Sequence, residues 1–145
     1  MKKSLVITSG HFDPLHVGHI EYLRQAKELA TDLLVIVNSD KSTFLKKGYI
    51  FMPCIERKEI ISSLKYVDKV VTSIDSDSTV IKTVEQVYAK FKHEYERIYF
   101  ANGGDRCGNV AEKEICNKLG IILVYGLGAK IQSSSSLVKN AIMVV

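Results

Sequence analysis

The stretch Gly10-His11-Phe12-Asp13-Pro14-Leu15-His16-Val17-Gly18-His19 constrains this chain most. It follows a short apolar run at residues 4–9 and leads into a helical pattern over residues 20–30. A strand, a tight turn and a helix in that order form an entry for phosphate, because a helix N-terminus offers free N–H groups and positive dipole. Gly10 lets the backbone turn or approach a ligand closely. Gly18 stands where the helix begins and has no side chain to hold a phosphate away. His16 and His19 are three apart, so on a first helical turn they share a face. Two imidazoles and a helix start can converge on one anion. A histidine pair can also bind a metal, but zinc needs at least a third ligand.

The rest of the chain repeats the alternation. Apolar runs at residues 33–37, 69–71, 98–101 and 121–125 read as strands. The run Leu33-Leu34-Val35-Ile36-Val37 is continuous, as a parallel strand covered on both faces requires. Helical spacing predicts helices over 54–65 (Ile55, Ile60, Ile61, Leu64), over 79–92 (Val80, Ile81, Val84, Val87, Phe91) and over 110–119, with Gly120 as the stop. Pro53 suits a helix start, and residues 73–78 supply an N-cap. Residues 41–49 are polar and read as a mobile loop. Residues 126–130 read as a flexible turn, and residues 133–136 lead into a last helix. This pattern is α/β: a single domain over 1–145, built on a doubly wound five-stranded parallel sheet of Rossmann-like type. Ligands of such sheets bind outside the carboxyl ends of the strands, where the polar and glycine-rich stretches collect.

Composition narrows the partners. The net charge of +4 suits an anionic small molecule but does not argue for a nucleic-acid surface, and no basic run exceeds Lys46-Lys47. Cys54, Cys107 and Cys116 include no CxxC and read as reduced thiols. No stretch approaches the ~20 apolar residues of a membrane span, and too few residues precede Gly10 for a signal segment. The expectation is a cytoplasmic protein. The apolar tail Ile142-Met143-Val144-Val145 is the candidate surface for a homodimer; packing on its own domain is the alternative.

The ten-residue string resembles the signature of the nucleotidyltransferase superfamily, in which a Gly-x-Phe-Asp precedes His-x-Gly-His. Cytidylyltransferases carry it, as do the adenylyltransferase domain of ADP-heptose synthase and archaeal FAD synthetase. The resemblance runs from about residue 4 to residue 139. Glu56-Arg57-Lys58 followed by Tyr66-Val67-Asp68-Lys69-Val70 is similar to the family's Arg-Lys then Tyr-Val-Asp-x-Val segment. Asn102-Gly103-Gly104-Asp105-Arg106 is similar to its Gly-Gly-Asp turn.

The resemblance implies roles. His16, His19, Lys46 and Arg57 would be catalytic, handling the phosphates and the leaving pyrophosphate. Gly10, His11, Phe12, Asp13, Gly18, Asn102, Gly103, Gly104, Lys130, Ser133, Ser134, Ser135 and Ser136 would bind nucleotide. Phe12 by itself reads as core, Asp13 as a turn cap, and serines at a helix start as ordinary caps. Asp40, Asp105 and Arg106 would meet the acceptor. Cytidylyltransferases have Gly-Ile-Ser-Thr-Thr with an upstream Arg where this chain has four serines and Lys130. The run Ser134-Ser135-Ser136-Leu137-Val138-Lys139 is closer to the end motif of phosphopantetheine adenylyltransferase, so CTP and ATP both stay open. The reaction implied is attack of an acceptor phosphate on the α-phosphorus of a nucleoside triphosphate, releasing pyrophosphate, with Mg²⁺ carried mainly by the phosphates. The acceptor would be a phospho-alcohol, a sugar phosphate or flavin mononucleotide. A nucleotide-binding module without turnover is the rival. A class I aminoacyl-tRNA synthetase fragment would need a Lys-Met-Ser-Lys-Ser-like second motif, which this sequence lacks.

Overall fold

A computed structural model describes residues 2–104, 110–128 and 133–144. Five strands form one parallel sheet: β1 (Ser4–Gly10), β2 (Asp32–Val37), β3 (Lys69–Thr72), β4 (Arg97–Gly103) and β5 (Ile122–Leu127). Their spatial order is β3-β2-β1-β4-β5. The chain therefore builds outward from β1 to β3, then returns to the other side of β1 for β4 and β5. The reversal between β1 and β4 opens a crevice at the carboxyl end of the sheet, the usual ligand position in such folds.

Side-chain alternation along the strands splits the core in two. Leu5, Ile7, Leu34, Ile36 and Phe100 point to one face, where Val84 and Val87 of α4 (Ile81–Phe91) and Cys116 of α5 (Lys113–Leu119) cover them. Val6, Leu33, Val35 and Val37 point to the other, under Leu23 and Ala26 of α1 (Val17–Leu29) and Ile61 of α3 (Cys54–Ser62). Both faces are covered, so the inner strands tolerate unbroken apolar runs. The last helix, α6, spans Ser134–Val144. No described helix is long and apolar enough to cross a membrane.

One element departs from the sequence expectation. Much of the stretch expected to be a mobile loop is a helix, α2 (Asp40–Lys47). Ser39 caps it by accepting from the Ser42 N–H, and Gly48 closes it at φ 80° with its N–H on the Phe44 carbonyl. Asp40 in the first turn and Lys46 and Lys47 in the last complement its dipole. The end signals are in the sequence, but Phe44 and Leu45 stay exposed, so no apolar periodicity announces the helix. Further boundaries shift inward, the end of α3 from 65 to Ser62 among them. Helix α4 starts at Ile81, with the Asp75 carboxylate accepting from the N–H groups of Lys82 and Thr83. Helix α5 starts at Lys113. Strand β5 runs through Leu127, so the first two residues of the expected turn at 126–130 are strand, and residues 129 and 130 lie outside the described residues.

Candidate active site

The crevice at the β1–β4 reversal is a cavity of about 420 Å³. The β1–α1 loop forms one wall. Phe12 takes φ 53°, and its ring packs over Gly10, where a Cβ would lie 2.8 Å from Phe12 Cζ. Phe12 is 1% exposed and meets the His19 ring edge-on, with centroids 5.0 Å apart. It thus serves as the packed underside of the histidine pair.

The two histidines start α1 together. His16 is the N-cap, and its Nδ1 accepts from the Gly18 N–H at 3.0 Å. His19, three residues on, turns Nδ1 back to accept from the His16 N–H at 3.2 Å. The rings stack with centroids 3.8 Å apart. A neutral imidazole has one N–H, so a ring that accepts at Nδ1 carries its proton on Nε2. Both rings line the cavity, and each has Nε2–H as its remaining donor. Burial, the His16 ring and Lys47 together push the His19 pKa down to about 3. Burial and Lys47 also lower His16. Both are neutral donors at pH 7.

Positive charge comes from α2. Lys46 and Lys47 both line the cavity. Lys47 is half-buried, donates from Nζ to the Asp13 carbonyl at 2.9 Å, and has its pKa lowered by burial against the opposing pull of Asp13. It is the lysine that acts electrostatically on both histidines. Sequence reasoning put weight on Lys46 instead. Once α2 is known to be a helix, Lys47 falls four residues after the buried Thr43, on the inward face.

The opposite wall is the end of β4. Gly103 packs against Tyr22 of α1, where a Cβ would come within 2.9 Å of the ring, and the Tyr22 hydroxyl donates to the Ala101 carbonyl. Asn102, Gly104 and Gly128 complete that wall. Ser133, Ser134 and Ser135 border the cavity at the start of α6, and Ser134 Oγ donates to the Pro14 carbonyl at 2.7 Å, tying α6 to the histidine loop. At the floor, Asn38 is 4% exposed, and its Oδ1 is buried with no hydrogen-bond partner. Such an acceptor costs about 1–3 kcal/mol until a donor reaches it. His11 stands beside it, with Nδ1 2.9 Å from Thr43 Oγ1 and Nε2 3.3 Å from the Asn38 amide nitrogen.

The cavity therefore gathers Gly10, His11, Phe12, His16, Gly18, His19, Lys46, Asn102, Gly103, Gly104, Ser133, Ser134 and Ser135 from the expected set. Four expected contacts are corrected. Arg57 is 1% exposed and does not line the cavity. Its Nε donates to the Met52 carbonyl, Nη1 to the carbonyls of His11 and Asn38, and Nη2 to Asp40, all within 2.9 Å. A guanidinium so committed, buried and with four of its five N–H donors engaged, positions the loops after β1 and β2 and does not face the cavity. Asp40 does not line the cavity, and one of its carboxylate oxygens holds both Arg57 and the Cys54 N–H at the start of α3. Asp13 is fully buried, and its two oxygens accept from the N–H groups of Phe51 and Met52, so it anchors the 51–52 segment and does not line the cavity. Ser136 is exposed on α6 outside the cavity lining. Asp105, Arg106 and Lys130 lie outside the described residues. Tyr22, Asn38, Ser78 and Glu112 also line the cavity. They carry no short motif, because long-range packing alone brings them there.

The described residues contain no cluster of three or more His, Cys, Asp or Glu able to hold a metal ion. A site of neutral imidazoles, two lysines and a helix N-terminus suits an anion. The model of the cytidylyltransferase-like family matches residues 7–139. The chain belongs to this cytidylyltransferase-like family. It is 37% identical over 137 residues, 92% of its length, to bifunctional protein HldE of Blochmanniella floridana, covering 26% of that protein. It is 51% identical over 71 residues to the FAD synthase of Thermococcus sibiricus, covering 48% of each. The matches thus span about half the length of the FAD synthase relative, and less of HldE. A solved structure titled as the lipopolysaccharide core biosynthesis protein from Thermoplasma volcanium GSS1 shares the fold at a TM-score of 0.68 and 33% identity. The comparison covers 87% of this chain and 98% of that one.

Proposed function

We propose that this member of the cytidylyltransferase-like family transfers a nucleotidyl group from a nucleoside triphosphate, CTP, to a small phosphorylated acceptor. The observation that carries the reading is the histidine pair. Two neutral imidazoles are held at Nδ1 by the backbone N–H groups of Gly18 and His16, so that Nε2–H is the donor left for an anion, at the N-terminus of α1 and beside Lys47. An acceptor phosphate oxygen attacks the α-phosphorus, a new P–O bond forms, and the bond to the β-phosphate oxygen breaks to release pyrophosphate. The acceptor phosphate is already nucleophilic, so the chain contributes positioning and charge stabilisation. His16 and His19 donate to the α- and β-phosphates. Lys47 and Lys46 offset charge on the leaving pyrophosphate. Ser133 and Ser135, with the start of α6, seat the outer phosphates. The nucleotide enters as its Mg²⁺ complex, with the ion carried by phosphate oxygens and water.

The family description supports CTP. Similarity to FAD synthase supports the second reading, an adenylyl group from ATP. Both share the phosphate-handling site. Calorimetric titration with CTP and with ATP, followed by mass spectrometry of mixtures containing Mg²⁺ and a phosphorylated acceptor, tests the proposal. A nucleoside-diphospho product is expected, with the tighter-binding nucleotide naming the base. Binding without product from any acceptor would instead favour a module that binds and does not turn over.

A further inference from the structure

Helix α2 is packed inside out. Its small polar side chains Ser42 and Thr43 are fully buried, while Phe44 and Leu45 are 56% and 60% exposed. The pattern continues past the helix, where Ile50, Phe51 and Ile55 are exposed as well. Five of the ten large apolar side chains exposed among the described residues thus fall within positions 44–55. Single exposed apolar residues need no explanation, but a concentrated set marks a contact surface. The segment is also held in this form. Asp40 at the start of α2 accepts from the Cys54 N–H at the start of α3. The Asp13 carboxylate accepts from the N–H groups of Phe51 and Met52, and Arg57 Nε donates to the Met52 carbonyl. The backbone is pinned from inside while the apolar side chains stand outside. The charge is one-sided too: from Lys41 to Ile55 the sequence has three lysines and no carboxylate. Lys46 and Lys47 belong to the cavity, and the exposed Lys41 stands one turn before Phe44 and Leu45, on their face of α2.

We propose that the 44–55 face docks on the surface of an anionic lipid bilayer, with Phe44, Leu45, Ile50, Phe51 and Ile55 in the headgroup region and Lys41 among the lipid phosphates. The contact lies at the interface and does not span the bilayer, since no described helix is long and apolar enough to cross one. Aromatic and aliphatic side chains beside a lysine suit the boundary between acyl chains and headgroups, where rings bury and lysine stems snorkel. The net charge of +4 adds attraction to an anionic surface. A protein partner fits less well, because protein–protein interfaces are depleted in lysine. A second copy fits least. An isologous contact sets the patch against itself, so the lysines of both copies would meet with no carboxylate between Lys41 and Ile55 to pair with them. The footprint ends at Ile55, because the exposed Glu56 and Glu59 follow on α3. Helix α2 carries both the apolar pair and the cavity lysines, so docking brings the cavity within one helix of the bilayer surface. Docking needs neither nucleotide nor turnover, so it stands or falls apart from the transfer reaction.

Flotation of the full chain with vesicles of phosphatidylcholine alone, and of an equimolar mixture with phosphatidylglycerol, tests the inference. Binding to the mixed vesicles is expected, stronger than to the neutral ones and weakened by added salt. The chain has no tryptophan, so Phe51→Trp gives a single reporter whose emission should shift to the blue on mixed vesicles. Phe44→Ser combined with Phe51→Ser should lower binding by about tenfold or more, the scale of losing a buried ring. Lys41→Glu should lower it by about fivefold, the scale of one lysine near an anionic surface. Melting temperature and nucleotide affinity should stay at wild-type values in all three, because these side chains are exposed and outside the cavity lining. No binding to mixed vesicles, equal binding to neutral ones, or an unmoved Phe51→Trp emission would each overturn the inference. Binding unchanged in the double serine variant would overturn the placement on this face. A dimer in sedimentation velocity that Phe44→Ser dissolves, without vesicle binding, would assign the face to a second copy instead. A chain that stays monomeric and ignores vesicles would leave the face to a protein partner, which also overturns the inference.

Discussion

His16 and His19 are held in one protonation state by the backbone that starts α1. The His16 N–H donates to His19 Nδ1, the Gly18 N–H donates to His16 Nδ1, and the rings stack 3.8 Å apart. A proton added at either Nδ1 would face a backbone N–H and a neighbouring ring. The helix cap and the phosphate donors are thus the same two side chains.

His19→Ala removes a donor and half of the cap. Turnover should fall by about 10²-fold or more, the scale of losing one transition-state donor. Stability should fall by about 1 kcal/mol, the usual value of a cap. His19→Gln keeps a side chain able to reach back, so it should recover most of the stability and little of the rate. Urea unfolding beside steady-state kinetics separates the two effects.

The histidine pKa values predict a pH dependence. The folded His19 titrates at about 3, below its unfolded value near 6.5. Between those values the unfolded chain binds the extra proton and the folded chain does not. Stability from this group is complete above pH 6.5 and is lost as pH falls towards 3, with a slope of at most about 1.4 kcal/mol per pH unit. His19→Gln should flatten the dependence of melting temperature on pH between 4 and 6. Nucleotide affinity should show no histidine titration between pH 6.5 and 8.

Arg57 is predicted to act on stability. Its guanidinium bridges the carbonyls of His11, Asn38 and Met52 to Asp40 in a fully buried position. Arg57→Met takes this donor from the three carbonyls, while the half-exposed Asp40 keeps the Cys54 N–H, and should cost about 1–3 kcal/mol for each buried acceptor left unpaired. A direct phosphate contact would behave differently, raising nucleotide KM with little change in unfolding. Denaturant midpoints and nucleotide KM on the same variant tell these apart.

Gly103 should not accept a side chain. A Cβ there would come within 2.9 Å of the Tyr22 ring, which is anchored by its hydroxyl to Ala101. Gly103→Ala should cost about 1–3 kcal/mol of overpacking and loosen the β4 wall, weakening nucleotide binding. Tyr22→Leu in the same chain should return part of both losses, as a thermal melt and a nucleotide titration would show.

The fold and the histidine loop were legible because their signals are local. Unbroken apolar runs such as Leu33–Val37 declare parallel strands, and His16 to His19 lies within one helical turn. Arg57, Asp40 and Asp13 were misread for a shared reason. Motif position says that a charged residue belongs near the site, but not whether its charge faces the ligand or holds the loops beneath it. Burial decides that, and burial follows from the packing of α3 and the 51–52 segment against β1 and β2. Helix α2 was hidden because its apolar residues face outward, and the inward role of Lys47 was hidden with it. Glu112 and Ser78 reach the site from elements distant in sequence, with no spacing to mark them.

The most direct test is pyrophosphate release by the wild-type chain, with Mg²⁺, CTP or ATP, and glycerol 3-phosphate, ribitol 5-phosphate or glucose 1-phosphate. The account predicts release that requires both a nucleotide and one of these acceptors, with one pyrophosphate formed per nucleoside-diphospho product, and that largely disappears in His19→Ala. Release that proceeds without any acceptor, or that persists undiminished in His19→Ala, would contradict it.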